Sequence, residues 1–184
     1  MDVPTYPKLL FITDAAVNIA PTLDDKVDIV ANAIELAQAL GVERPNVAIL
    51  SAVETVTAKI PFTIDAAALC KMADRGQIKG GTLDGPLAFD NAISREAAAA
   101  KGIVSPVAGD AGVLLVPDME AGNMLAKELT FLANADAAGV VLGARVPIIL
   151  TCRADSVRAR LASCAVAAIY SHARSLLATG LVAE

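Results

Sequence analysis

Aromatic residues make up only 3% of the 184-residue chain, tryptophan is absent and histidine occurs once. With so few rings and a net charge of −5, the chain lacks the stacking platforms and the cationic field that nucleic-acid binding uses. That excludes nucleic acid as a partner. The three cysteines, Cys70, Cys152 and Cys164, form no CxxC and no Cys/His ligand spacing. An odd number of cysteines, with no secretory leader in "MDVPTYPKLL", points to reduced thiols in a cytoplasm. Long hydrophobic runs are missing too. "GVVLGARVPIIL" is broken by Arg145, and "LASCAVAAIYSHA" falls short of the ~20 residues a bilayer span needs, so no membrane partner is expected. No HExxH or clustered His points to a metal. "GGTLDGP" has no Gly-Lys-Ser/Thr, and "GVVLGA" lacks the third glycine of a dinucleotide fingerprint, which argues against ATP and NAD.

What the chain does have is small apolar side chains, within a hydrophobic content of 55%, and a regular alternation of patterns. Lys8–Thr13 reads as a strand. Pro21–Leu40 then reads as a helix with Val27, Val30, Ile34, Ala37 and Leu40 on one face. Thr22 is its N-cap, Asp25 stands at the third helical position, and Gly41 stops it. Asn46–Ala52 and Ile78–Pro86 are further strands, followed by helices over Thr63–Asp74 and Leu87–Ala100. "AGVLLVPD" is a strand and Met119–Asn134 a helix. "AGVVLGA" and "VPIIL" are two apolar runs with no helix between them, which predicts an antiparallel or edge pairing. A last helix runs from about Ser156 to Leu177 with no strand after it, and needs something to pack on. Apolar strands separated by amphipathic helices predict an α/β fold, a mainly parallel sheet covered by helices on both faces.

Ligands of parallel α/β sheets bind outside the carboxyl ends of the strands. The junctions there are "TDAAVN", "SAVET", "LDGPLAFD", "VPDMEAGN" and "LTCRADS", with Asp14, Asn18, Asp84, Asp118 and Asn123 recurring at equivalent places. Each has an ordinary reading as a cap or turn former. The last junction is sharper. Asp155 or Ser156 would cap the final helix, leaving Arg153 and free backbone N–H groups at its positive end, a ready anion site. From Arg153 to Arg174 four arginines face Asp155 alone. A Cys152–His172 dyad is excluded, because His172 lies roughly 25 Å further along the same helix.

"FITDAAVNIAPTLDDKVDIV", "DGPLAFDNAI", the long run from "VLLVPDMEAGN" to "LTCRADS", and "RLASCAVAA" occur in the order seen in phosphate acetyltransferases and phosphate butyryltransferases. The chain resembles the C-terminal part of that family, most nearly its butyryl-type and hydratase-fused branch. The resemblance implies a fold of the isocitrate/isopropylmalate dehydrogenase type, lacking most of the N-terminal domain. Residues 1–150 would be the second α/β domain, and residues 151–184 a helical segment that returns to the first. It also implies transfer of an acyl group between coenzyme A and inorganic phosphate, with CoA as substrate and no cofactor or metal.

By position, Cys152 and Arg153 match the family's Ser-Arg pair, with Arg153 on phosphate and residue 152 donating to the substrate. Acetyl-type relatives carry an aspartate base where Ala159 stands here, which leaves Asp155 as the nearest acid. Cys152, Arg153 and Asp155 are therefore the expected catalytic residues. Asp14, Asn18, Asp84, Pro86, Asp118, Asn123 and Ser156 are the expected substrate-binding residues. The expected partners are acyl-CoA, phosphate and further copies of the chain, as a homodimer or higher homo-oligomer. The alternative is a non-catalytic CoA-binding or dimerisation module.

Overall fold

In the computed structural model, which describes residues 1–179, four short strands form one parallel sheet. They are β1 (Phe11–Thr13), β2 (Asn46–Leu50), β3 (Thr82–Leu87) and β4 (Val113–Leu115), in the order β1-β4-β2-β3. Helices α1 (Leu23–Ala39) and α2 (Pro61–Asp74) follow β1 and β2. Helices α3 (Phe89–Ile93) and α4 (Arg95–Ala100) follow β3, and α5 (Met119–Leu132) follows β4.

Parallel crossovers are right-handed. The steps β1 to β2 and β2 to β3 go one way along this sheet and β3 to β4 goes back, so α1 and α2 must cover one face and α3 and α4 the other. The two cores obey this. Val47, Ile49, Val113 and Leu115 pack with Val30, Ile34, Ala66 and Leu69 of α1 and α2. Ala48, Leu50, Leu114 and Val116 pack with Ala92 and, from α5, Leu125 and Leu129. Strand residues alternate between two buried faces, which is why the strands read as continuous apolar runs. The expected parallel sheet covered on both sides is what the chain forms.

Local signals explain the element ends. The Thr22 side chain accepts the Asp25 N–H (3.3 Å) and Asp25 accepts the Thr22 N–H (2.8 Å). This capping box contributes about 1 kcal/mol. Gly41 closes the α1 end with φ +91, a conformation costly for other residues. The single helix expected over Leu87–Ala100 is two. Ser94 leaves the helix at φ −121 and its hydroxyl accepts the Ala97 N–H to start α4, because serine competes for backbone donors. Helix α2 begins at Pro61 rather than Thr63. The Thr63 hydroxyl instead accepts the Thr57 N–H at 2.8 Å.

Lys26, on the α1–α2 face, is strongly buried. Its Nζ lies 2.5 Å from Asp65 and 4.4 Å from the Phe62 ring centre. Asp65→Ala is expected to cost about 3 kcal/mol, the low end for breaking a buried pair because Asp65 keeps some water access. Lys26→Met removes the charge together with its need for a partner, and is expected to stay within about 1.5 kcal/mol. Urea unfolding midpoints separate the two variants.

The two runs without an intervening helix, β5 (Val140–Val141) and β6 (Ile148–Ile149), pair antiparallel as expected, but as a ribbon of their own outside the parallel sheet. Helix α6 (Val157–Ala178) follows, and residues 180–184 of the expected C-terminal segment lie outside the described residues. The last helix does find a surface within the chain. Tyr170 is buried and its hydroxyl donates to Glu35 of α1 (2.9 Å), and Arg174 pairs with the same carboxylate (3.4 Å).

Candidate functional site

The carboxyl edge of the sheet is built corner by corner, beginning with Asp14. One carboxylate oxygen accepts the N–H groups of Ala16 (2.8 Å) and Val17 (3.0 Å). The other accepts the Asn18 N–H (2.7 Å) and the Asn18 side-chain amide (2.7 Å). Burial acts to raise the Asp14 pKa, but the three backbone donors and the Asn18 amide outweigh it and hold the group below its ordinary value. A carboxylate depressed in the folded state adds stability above its unfolded pKa, and that stability is lost as pH falls through the folded value. Asp14→Asn is therefore expected to lower the melting temperature at neutral pH. The gap to wild type should close as the solution is acidified below the ordinary carboxylate range, which a series of thermal melts checks.

Helix α5 docks on this corner. Asp118 caps it by accepting the Ala121 N–H (2.8 Å), and the Asn123 amide donates to Ala15 O (3.2 Å). Close approach needs Gly122, where a Cβ would stand 2.7 Å from Asp14 O and 2.8 Å from Val116 Cγ2. The structure thus brings Asp14, Asn18, Asp118 and Asn123 together at the ends of β1 and β4.

At the other end of the sheet, Asp84 and Pro86 are not beyond the strand, as the junction reading placed them. β3 runs on to Leu87, with Asp84 opposite Ala48. Asp84 lies near α2. Burial and then the Asp84 charge push the Cys70 thiol up to about 12, which makes that cysteine an inert filler.

Past β2, the sequence reading singled out the junction "SAVET" without assigning a residue in it. Glu54 there accepts from Lys101 Nζ (2.6 Å) and from the amide of fully buried Asn91. The Lys101 bond, set against some desolvation, holds the Glu54 carboxyl below its ordinary value. Glu54 was visible as an acid at a strand end. Lys101, beyond a helix, meets it only through the fold.

The junction Cys152–Ser156 is a correction. It follows β6, which is not in the parallel sheet, so it does not take its place among the four parallel strand ends. The first turn of α6 is tied instead toward the amino end of β1. Arg158 pairs with Asp136 (2.6 Å), Asp136 bridges Asp2, and the Met1 amino group donates to Leu10 O (2.7 Å). Within the junction Asp155 accepts the Cys152 N–H (2.6 Å), and Ser156, not Asp155, caps α6 by accepting the Ala159 N–H (3.1 Å). Of the four arginines, Arg158 and Arg174 are in ion pairs and Arg160 leans on Arg153 O (3.5 Å). Arg153 itself is exposed, and among the described residues its guanidinium has no carboxylate partner. His172 is exposed on α6, as expected of a residue far from Cys152.

Two cavities lie elsewhere. One of about 210 Å³ sits at the amino ends of the strands, between Lys8, Phe11, Arg44, Asn46 and Asp110. One of about 260 Å³ lies between α1 and α6, beside Glu35, Tyr170 and Arg174. Neither is lined by a residue singled out above for the site. Among the described residues no helix is long and apolar enough to cross a membrane, and no group of His, Cys, Asp or Glu is arranged to hold a metal ion.

With this geometry in view, comparison with known proteins places the chain. A family model described as phosphate acetyl/butaryl transferase matches residues 1–168, and the chain belongs to that family. It is 73% identical over 174 residues to a phosphate acetyltransferase of Rhizobium meliloti, covering 95% of this chain and 55% of that protein. It is 52% identical over 166 residues to a probable phosphate butyryltransferase of Bacillus subtilis, covering 90% of this chain and 56% of that protein. The fold matches a crystal structure of a branched-chain phosphotransacylase from Enterococcus faecalis V583 with a TM-score of 0.83 at 38% identity. That match covers 93% of this chain and 61% of the other. The chain thus spans little more than half the length of the curated relatives it matches.

Proposed function

We propose that the chain is part of an acyl-CoA:phosphate acyltransferase. A phosphate oxygen attacks the thioester carbonyl carbon, the carbonyl oxygen takes up negative charge, and collapse breaks the C–S bond. The products are acyl phosphate and the CoA thiolate, which takes a proton. Such a path needs a cation for phosphate and a donor for the oxyanion, and no electron transfer. The observation that carries this reading is Arg153, a guanidinium without a carboxylate partner among the described residues, beside Cys152 in a chain 73% identical to a protein named phosphate acetyltransferase.

In this reading Arg153 holds the phosphate and Cys152 faces the substrate. Asp155 and Ser156 shape the turn that presents them, since the carboxylate of one and the hydroxyl of the other already hold backbone N–H groups. The corner formed by Asp14, Asn18, Asp118 and Asn123 supports the CoA side at the carboxyl edge, and Asp84 and Pro86 back it from within β3. The reading adopts a fold of the isocitrate/isopropylmalate dehydrogenase type, in which residues 1–150 form one α/β domain and residues 151–184 return to an N-terminal domain. A homo-oligomer in the cytoplasm completes the proposal, with no cofactor beyond the substrates.

The test is phosphate-dependent release of free CoA from acetyl-CoA and butyryl-CoA by the complete gene product that contains residues 1–184. Turnover that rises with phosphate supports the reading. Ala159 at the position of the acetyl-type acid favours the second reading, a CoA-binding module. That reading is correct if CoA binds and no acyl phosphate forms with either thioester.

A further inference from the structure

Among the described residues only two buried side-chain polar atoms have no hydrogen-bond partner, Ser51 Oγ and Asn91 Oδ1. They belong to one neighbourhood at the carboxyl edge. The Ser51 N–H donates to Leu87 O (2.8 Å) just after β2, joining the ends of β2 and β3. Glu54, three residues further on, accepts from the Asn91 amide, and Lys101 Nζ holds Glu54 at 2.6 Å. Asn91 is fully buried on α3.

A buried polar atom without a partner costs about 1–3 kcal/mol. Buried polar groups are nearly always paired, so an exception calls for an explanation. Here two exceptions flank one strand-end junction of a parallel sheet, where ligands of such folds bind. Their chemistry is complementary. Asn91 Oδ1 accepts only, its amide nitrogen being committed to Glu54, while the Ser51 hydroxyl can donate.

We propose that Ser51 and Asn91 recognise a secondary amide of the ligand, with Asn91 Oδ1 accepting its N–H and Ser51 Oγ donating to its carbonyl. This rests on the acyl-CoA reading and deepens it, because the pantetheine arm of coenzyme A carries two such amides. Residues 51–60, which include Ser51 and Glu54, carry neither helix nor strand. Segments of that kind open at low free-energy cost, which gives the arm its way in. With the segment in place, the Asn91–Glu54–Lys101 chain sets the Asn91 amide with its nitrogen toward Glu54.

The pair makes an unusual prediction for Ser51→Ala in the complete gene product. Removing an unpartnered hydroxyl leaves thermal stability equal to or above wild type. It weakens CoA binding about 3- to 10-fold, the worth of one neutral hydrogen bond. Adenosine 3′,5′-bisphosphate, which lacks the pantetheine arm, should bind the variant and the wild type equally. Titration calorimetry with these two probes, with melting curves alongside, reads all three quantities. A variant that melts lower than wild type would show that Ser51 has a structural partner, and would overturn the proposal. So would a variant that binds CoA as tightly as wild type, or one that loses both probes to the same degree. If the wild-type protein binds no CoA, the acyltransferase reading falls and this inference with it. If wild type binds CoA and the variant is unchanged, only this inference falls.

Discussion

Arg153→Ala in the complete gene product is expected to lower kcat/KM for phosphate by about 100- to 1,000-fold, the usual cost of removing one preorganised donor to developing charge. Two charge-assisted bonds from one guanidinium, at about 1.5–3 kcal/mol each, are enough for a loss of that size. The loss is specific to function because Arg153 is exposed and has no carboxylate partner among the described residues. Substitution at such a surface position moves stability by no more than about 0.5 kcal/mol. Arg153→Lys keeps the charge and gives up the two-pronged grip, so it should fall between wild type and Arg153→Ala. Initial rates of CoA release at varied phosphate decide the matter. A variant with wild-type kcat and phosphate KM assigns the anion to another group.

The second large effect is in folding. In an exposed helix, Gly→Ala gains about 1 kcal/mol from helix propensity. At Gly122 of α5 the sign should reverse. The added methyl would meet Asp14 O at 2.7 Å, Val116 Cγ2 at 2.8 Å and Ala15 Cα at 3.0 Å. Two of these belong to a loop backbone that Asp14 itself holds rigid, so the strain cannot be relieved by a side chain swinging aside. Overpacking of this kind costs about 1–3 kcal/mol. For a chain of this size each kcal/mol lowers the melting temperature by roughly 2–4 °C. A Gly122→Ala variant that melts at or above wild type would mean that α5 does not seat against the β1 loop. Serine, slightly larger and polar, should do no better.

Much of the fold was readable before any coordinates. The Thr22–Asp25 box, the stop at Gly41 and the two buried faces of β2 and β4 all follow from local spacing or from side-chain type. What escaped depends on contacts between distant segments. Two-residue strands such as Val140–Val141 and Ile148–Ile149 carry too little pattern to tell a separate ribbon from an edge of the main sheet. For that reason the sequence alone puts Cys152–Ser156 among the parallel strand ends. The grouping of Asp14 with Asn18 was legible because only three residues separate them. The bond from Asn123 to Ala15 was not, because it arises only when α5 closes over β1. Ser51 and Asn91 gave no signal at all, since an unpartnered atom can be recognised only once its surroundings exist.

The strand order has a consequence for the shape of whatever binds. Along β1, β4, β2 and β3 the outgoing connections leave by opposite faces in turn: α1 on one side, α5 on the other, then α2, then α3. Neighbouring loops therefore leave by opposite faces at every step across the sheet. With strands about 4.8 Å apart, the distance from first strand to last is roughly 14 Å. A compact metabolite would reach one or two of these loops. A long, thin molecule lying crosswise could touch every loop in succession, with its reactive tip at one end and its handle at the other.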